Sequence, residues 1–585
     1  MALGLGLGGA ALYRFRRAWL ARALRLPPAR YHVAEELDLP VPMADGVQLL
    51  ADHYYPSEGG DFPTILVRTP YGRASELGAL GLSQRLIARL FAERGYHVLV
   101  QGVRGRFHSK GEFYPFTHEA EDGRATLEWI GQQPWFNGSL GTWGASYLGL
   151  TQWAIAAAAP PFLKAMMPIT TSSRFSRLFY INGAFSLDGS LRWAYLVNTM
   201  IERNGWIDLG VLQKTAAAYR PAAFTNAFQH LPLADADTLS LGKPVPFLRD
   251  WLEHPDTDDS YWQAVDHPTA PAKVQAQVHM VAGWYDIFLN DQLTDYARML
   301  AAGRTPYLTI GPQHHLDTTL ISDGVREGLA WFDVYLKGQQ ERLRQRPVRV
   351  YLMGADEWHE MDFWPPLATL TRFFLHGDQL LSTVESAEHS PPDHYRYHPA
   401  HPTPMIGGSL LNLGAGRHDQ RMLEARSDVL TFTTAALEQD VDVIGPVRLE
   451  LYVRSSLAHT DFVGRLCDVY PDGRSFNVCD GLFRVEPGRG ERQPDGSLRL
   501  EIDMWATAQR FKAGHRIRVQ VCSGGHPRWA RNLGTGENQA SSTRMRPADQ
   551  TIYHDANRPS ALVLPILPQR AQRTQRAEQE AAHSV

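Results

Sequence analysis

The chain has 585 residues, of which 44% are hydrophobic and 21% charged, with a formal net charge of −4 and a pI near 6.6. That length exceeds what one hydrophobic core organises and points to about three or four domains. No global positive field is available to recruit nucleic acid or an anionic membrane, so neither is expected as a partner.

The N-terminal run "MALGLGLGGAALY" is apolar, but the basic stretch "RFRRAWLAR" follows it, whereas a secretory signal has its basic residues first. Thirteen residues are also too few to span a bilayer. Residues 1–35 are therefore read as a basic and apolar leader, with a peripheral membrane contact through a weak amphipathic helix as the alternative. From residue 36 to 173 strand and helix alternate. "TILVRTPY" (Thr64–Tyr71) reads as a buried strand, "LSQRLIARLFAERG" (Leu82–Gly95) as a helix ending on glycine, and "YHVLVQGVRG" (Tyr96–Gly105) as a second strand. "AEDGRATLEWIGQQP" (Ala120–Pro134) is a helix stopped by proline, and "GSLGTWGAS" leads through a turn into the helical "YLGLTQWAIAAAAP". Such alternation predicts a parallel sheet covered on both faces.

The alternation stops between residues 174 and 267, where aromatic-rich helical segments such as "LRWAYLVNTMIERNGW" suggest an inserted cap. It resumes over residues 268–365, with strands "AQVHMVAGWYD" and "TPYLTIGP" followed by helices. Residues 366–567 alternate in the β pattern, as in "GPVRLELYVRS" and "HRIRVQVCS", and predict a β-sandwich of jelly-roll type. The polar tail, residues 568–585, has no core-forming periodicity and is expected to be disordered. Three cysteines (Cys467, Cys479, Cys522) are too few for a disulfide framework, so a cytoplasmic location is expected.

A serine becomes a nucleophile when a histidine takes its proton and a carboxylate orients that histidine. In α/β hydrolases these groups come in the order Ser, Asp, His, on the ends of successive strands. Ser146 stands at the strand-to-helix turn of "GTWGASYLGL", with Gly144 two before it but Leu148 two after, so the match to G-x-S-x-G is imperfect. The same turn would suit a helix-capping serine. Asp286 ends the strand "VHMVAGWYD", where it could be a triad acid or an N-cap; "GPQHH" offers both His314 and His315 as the base. The four histidines of "HSPPDHYRYHPAHP" are interrupted by prolines and read as a loop, so no metal site is expected.

"RTPYGR", "GASYLG", "GWYD", "GPQHH" and the long stretch from "VRGRFHSKGEFYPF" to "GTWGASY" resemble the cocaine esterase, α-amino acid ester hydrolase and X-prolyl dipeptidyl aminopeptidase superfamily. "VYLMGADEWHEMDFWPP" and "AGHRIRVQVCSGGHPRWARNLGTG" resemble its sandwich region. The resemblance implies an α/β-hydrolase domain with an inserted helical cap and a C-terminal jelly roll. It assigns Ser146 as nucleophile, Asp286 as acid and His315 as base, leaving His314 as a neighbour. It adds the Tyr71 hydroxyl and the backbone N–H of Tyr147 as the oxyanion hole. No metal or organic cofactor is expected, and relatives of this kind are often homodimers.

Two departures stand out. "QGVRGR" has Gly102 where many relatives carry an aspartate. "DIFLND" has Phe288 and Leu289 where amino-ester hydrolases carry the acids that hold a substrate ammonium. An apolar wall favours an uncharged acyl group. Phe288, and Trp193 in the cap, resemble pocket aromatics of the esterase branch, with core packing as the alternative for each. The expectation is a serine hydrolase cleaving small carboxylic esters through an acyl-enzyme. An X-prolyl dipeptidyl peptidase is the rival, needing a carboxylate such as Asp188 or Glu202 from the cap. A non-catalytic binding protein using the sandwich is the alternative of another class.

Overall fold

The protein is described here by a computed structural model covering residues 17–76, 79–200, 209–386 and 388–568. Ten strands build the first sheet: β1 (Val33–Pro42), β2 (Gln48–Pro56), β3 (Thr64–Thr69), β4 (His97–Gly102), β5 (Leu140–Ala145), β6 (Leu163–Ile169), β9 (Gln277–Tyr285), β10 (Tyr307–His314), β11 (Val348–Leu352) and β12 (Glu357–Met361). Between β6 and β9 the short hairpin β7 (Tyr180–Ile181) and β8 (Ala184–Phe185) stands apart from this sheet. The spatial order is β1-β2-β4-β3-β5-β6-β9-β10-β11-β12, and every neighbouring pair from β4 to β11 runs parallel. Strands β3 and β4 are buried along their whole length, as a parallel sheet covered on both faces requires.

The chain leaves β3 toward β4 on one side and returns to β5 on the other, so the direction of winding reverses between β3 and β5. The loops after these two strands diverge at that switch point and leave a crevice at the carboxyl edge of the sheet. Tyr71 follows β3 and Ser146 follows β5.

The helix expected over Leu82–Gly95 spans Ala79–Ala92, and Gly95 (φ 82°) closes the turn into β4. Helices Leu187–Met200, Leu209–Ala218, Ala236–Leu241 and Pro246–Glu253 lie between β6 and β9, together with the β7–β8 hairpin that the sequence pattern did not reveal. Beyond Thr369 the chain is β-rich. Its long strand Val441–Ser455 pairs antiparallel with Leu498–Phe511, and Thr460–Val469 pairs with both Ser475–Val485 and Arg516–Cys522. One apolar core runs from β9 and β11 (Met280, Trp284, Val350) through Met353 and Trp364 into the sandwich (Leu375, Leu449, Leu466).

Residues 17–35 are not a free leader. Ala21 and Leu26 are buried, Arg17 Nε lies 3.0 Å from Glu93 Oε1, and β1 already begins at Val33. The disorder expected of the tail lies outside the described residues from 569 onward. Among the described residues no helix is long and apolar enough to cross a membrane, and no group of three or more His, Cys, Asp or Glu side chains converges as metal ligands would.

Candidate active site

Ser146 sits at φ 58°, ψ −123°, between the last residue of β5 and the first residue of the helix Tyr147–Ala156. A non-glycine residue held there is strained, and here the surroundings hold it: its N–H donates to Ile169 O (2.9 Å), and the Thr171 hydroxyl donates to its carbonyl (2.9 Å). It makes no side-chain capping bond to the helix, which sets aside the helix-cap alternative. Two glycines make the turn feasible. A Cβ on Gly144 (φ 155°) would overlap Leu148, and a Cβ on Gly149 would overlap Thr171. The position that demands a small residue is thus three after the serine rather than two, which accounts for the imperfect motif.

Asp286 follows β9 and is fully buried. Its Oδ1 accepts from the Phe288 N–H (2.8 Å), and its Oδ2 lies 2.7 Å from His315 Nδ1. The N-cap-like bond and the bond to the imidazole therefore coexist, one on each carboxylate oxygen. Strands β9 and β10 approach closely at this edge: a Cβ on Gly283 would overlap the Gln313 backbone. His315, with its side chain 9% exposed, faces the same cavity as Ser146. His314 does not line that cavity; it sits near Gly416 of the sandwich, and burial lowers its pKa.

That cavity has a volume of about 480 Å³ and is predominantly apolar. Ser146, His315, Tyr71, Tyr147, Phe288 and Trp193 all lie on its wall, with Asp286 behind His315. The Trp193 indole N–H donates to the Tyr71 hydroxyl (3.0 Å), and Tyr71 also interacts with the Ser146 hydroxyl. Burial pushes the Tyr71 phenol up to about 12, so it keeps its proton as a donor at neutral pH. Tyr147 is the first residue of its helix, where the N–H has no acceptor within the helix. The Tyr147 ring is fixed from behind, its hydroxyl donating to Glu119 Oε1 (2.7 Å) and accepting from the Phe116 N–H (3.1 Å). Phe288 packs on Phe175 (ring centroids 4.9 Å apart) and beside His315 (5.5 Å), while Trp193 stacks on Phe116 (5.3 Å). Both aromatics are packed and both line the cavity, so the two readings of them do not compete.

The acid on this wall among the described residues is Asp188. It is 1% exposed, and its Oδ1 accepts from Arg192 Nε (2.7 Å) and from Asn412 Nδ2 (3.1 Å). Glu202 lies outside the described residues. Asp291, five residues after Asp286, opens instead into a neighbouring polar cavity of about 670 Å³ that shares Ile181 and Trp505 with the first. Sequence reasoning missed the sandwich's share of the wall: Ser409, Leu410, Leu411, Trp505 and Arg528 all line it. No local motif announces them, because their place depends on how the sandwich docks.

Residues 45–317 match the X-Pro dipeptidyl-peptidase (S15 family) profile, and residues 343–563 match its C-terminal non-catalytic domain. The chain is 34% identical over 568 residues to cocaine esterase of Rhodococcus sp. (strain MB1 Bresler), covering 90% of this chain and 97% of that protein. Among solved structures, an α-amino acid ester hydrolase superposes with a TM-score of 0.77 at 22% identity, covering 92% of this chain and 97% of the other. An aminopeptidase from a marine sediment Thaumarchaeota archaeon gives the same TM-score at 24% identity, covering 92% and 96%.

Proposed function

Because the chain belongs to the cocaine esterase and X-Pro dipeptidyl-peptidase superfamily of serine hydrolases, we propose that it hydrolyses carboxylic esters with uncharged acyl groups through Ser146, His315 and Asp286. His315 takes the hydroxyl proton as Ser146 Oγ attacks the ester carbonyl, and Asp286 holds the imidazolium that forms. Negative charge gathers on the former carbonyl oxygen, where the Tyr71 O–H and the Tyr147 N–H donate to it. Collapse of the tetrahedral intermediate breaks the bond to the alkoxy oxygen, and His315 returns the proton so that an alcohol departs. Water then attacks the acyl-Ser146 ester, again losing a proton to His315, and the acid leaves with Ser146 regenerated.

The observation that carries this reading is the 2.7 Å contact of His315 with buried Asp286 at the edge of an apolar cavity that Ser146 and Tyr71 also line. The preference for esters over N-terminal dipeptides rests on the lack of a free carboxylate on the cavity wall among the described residues. Asp188 is paired with Arg192, and a buried ammonium without a partner is costly.

The test is labelling by a fluorophosphonate followed by turnover of p-nitrophenyl butyrate and of an Ala-Pro anilide. The wild type should be labelled and should prefer the ester, while Ser146→Ala should lose the label and at least about 10⁴-fold in kcat. Preference for the anilide would make the protein a dipeptidyl peptidase. Labelling that survives Ser146→Ala would remove Ser146 from the chemistry.

A further inference from the structure

Arg106 follows β4 in the "VRGR" loop and is completely buried. Its Nε donates to Pro70 O (2.8 Å) and its Nη1 to Val197 O (2.9 Å), while Nη2 has no partner. Phe107 and Phe113 flank the guanidinium with ring centroids at 5.3 and 4.8 Å. Among the described residues no carboxylate reaches it within ion-pair distance.

The other buried arginines of this region are compensated. Arg68 pairs with Glu119 (2.8 Å), Arg192 with Asp188 (2.7 Å), and Arg73 with Asp52 (2.6 Å) and Glu76 (2.7 Å). Glu76 also senses Arg106 from beyond ion-pair distance, while its direct bonds go to the Arg73 side chain and backbone. A buried cation without a counter-ion is expensive to maintain, so its location is informative.

The two carbonyls that Arg106 grips belong to the residue before Tyr71 and to the cap helix Leu187–Met200, one turn beyond Trp193. Trp193 in turn donates to the Tyr71 hydroxyl oxygen, which leaves the phenol's single hydrogen free to point at another acceptor. Arg106 is also electrostatically coupled to the Tyr71 and Tyr147 side chains. The same guanidinium thus ties the turn that carries the phenol to the cap helix that carries its partner Trp193, and it carries a positive charge with no direct ion-pair partner among the described residues.

We propose that Arg106 is the positioning residue of the oxyanion hole: it locks the Pro70–Tyr71 turn to the cap helix and so aims the Tyr71 O–H, and its positive charge favours the anionic tetrahedral intermediate over the neutral ester. This rests on the reading of Ser146 as nucleophile and Tyr71 as oxyanion donor. The device acts on the transition state rather than on substrate binding, because the ground-state ester carries no full charge. It requires no movement, since the donor is in place before the substrate arrives.

The experiment compares Arg106→Met and Arg106→Lys, each in the wild-type and Tyr71→Phe backgrounds, with p-nitrophenyl butyrate and a trifluoromethyl ketone that binds as an oxyanion. Arg106→Met should lower kcat by about 10- to 50-fold with KM within about twofold, and should weaken the ketone by the same factor as kcat. Arg106→Lys, which keeps the charge, should recover most of the loss. In the Tyr71→Phe background Arg106→Met should cost less than about threefold, because the two residues act through one hydrogen bond. Equal losses in the Met and Lys variants, a loss confined to KM, or an undiminished loss without the phenol would each overturn the inference in favour of packing. Where the methionine variant does not fold, Arg106→Gln, which is neutral but keeps a donor, replaces it and is held to the same outcomes. The hydrolase reading is checked separately. A wild type that fluorophosphonate leaves unlabelled at Ser146 rejects that reading, whereas normal labelling with full kcat in Arg106→Met rejects the Arg106 inference alone.

Discussion

A methyl group on Gly149 would be driven into Thr171, the residue whose hydroxyl holds the Ser146 carbonyl. Gly149→Ala therefore pushes the turn of the proposed nucleophile Ser146 away from its support. A displacement of about 1 Å at such a site costs on the order of 10²-fold in rate. The expected outcome is a fall of that size in kcat on p-nitrophenyl butyrate while the far-UV circular dichroism spectrum stays that of the wild type; an unimpaired kcat would show that the turn tolerates the methyl group. This position also shows what a motif can hide. The sequence pattern asks for a small residue two after the serine, yet Leu148 fits there because Gly144 leaves room for it. Asp286 was legible because it follows a recognisable apolar strand, whereas the residues alone left His314 and His315 open and only the family resemblance pointed to His315. Arg106 could not, since a basic loop residue usually reads as solvated, and nothing in "VRGRF" tells of two carbonyls waiting in the interior.

Among the elements, β2 and β4 carry a buried imidazole pair. His53 Nε2 lies 2.9 Å from His97 Nδ1, with the Trp135 ring stacked on both at 4.3 and 5.1 Å. Burial holds both imidazoles down to about 4, below the ordinary value of 6.5, so the folded state keeps them neutral where the unfolded chain would protonate. Their contribution to stability is full above pH 6.5 and is lost as the pH falls from there through about 4. Replacing both by glutamine should flatten the dependence of the thermal midpoint on pH between 7 and 4.5, leaving a smaller drop than in the wild type. An equal drop in the two proteins would mean that other groups control acid sensitivity in this range. The strands that host the pair illustrate how far periodicity reaches. The long buried strands β3 and β4 could be read from apolar residues, whereas the two-residue strands β7 and β8 are too short to show any period. The early start of the helix Ala79–Ala92 was hidden because "GALG" carries no capping residue.

For the molecule as a whole, the sandwich is held to the rest by more than a linker. The apolar core crosses from β9 and β11 into the sandwich strands without a break. The β7–β8 hairpin is bound by Asn182 Nδ2 to Leu482 O (2.8 Å) and by Arg489 Nη1 to Asn182 O (2.9 Å), and Phe185 O accepts from Ala530 N (2.8 Å). Parts joined in this way should unfold together. Scanning calorimetry is expected to give one endotherm, and two resolved endotherms would show that the sandwich is an independent unit. The division of the chain into an alternating α/β portion and a β portion was readable from composition and period alone. The joint between them was not, because docking brings together surfaces hundreds of residues apart.

The wall around Ser146 is contributed by the α/β portion on both sides of the cap, by the cap and by the sandwich, whereas Ser146, Asp286 and His315 all follow strands of the ten-stranded sheet. Changes at Ser409–Leu411 or Trp505 should therefore reshape the cavity without moving the proposed Ser146–His315–Asp286 relay. Selectivity and chemistry are thereby uncoupled along the polypeptide.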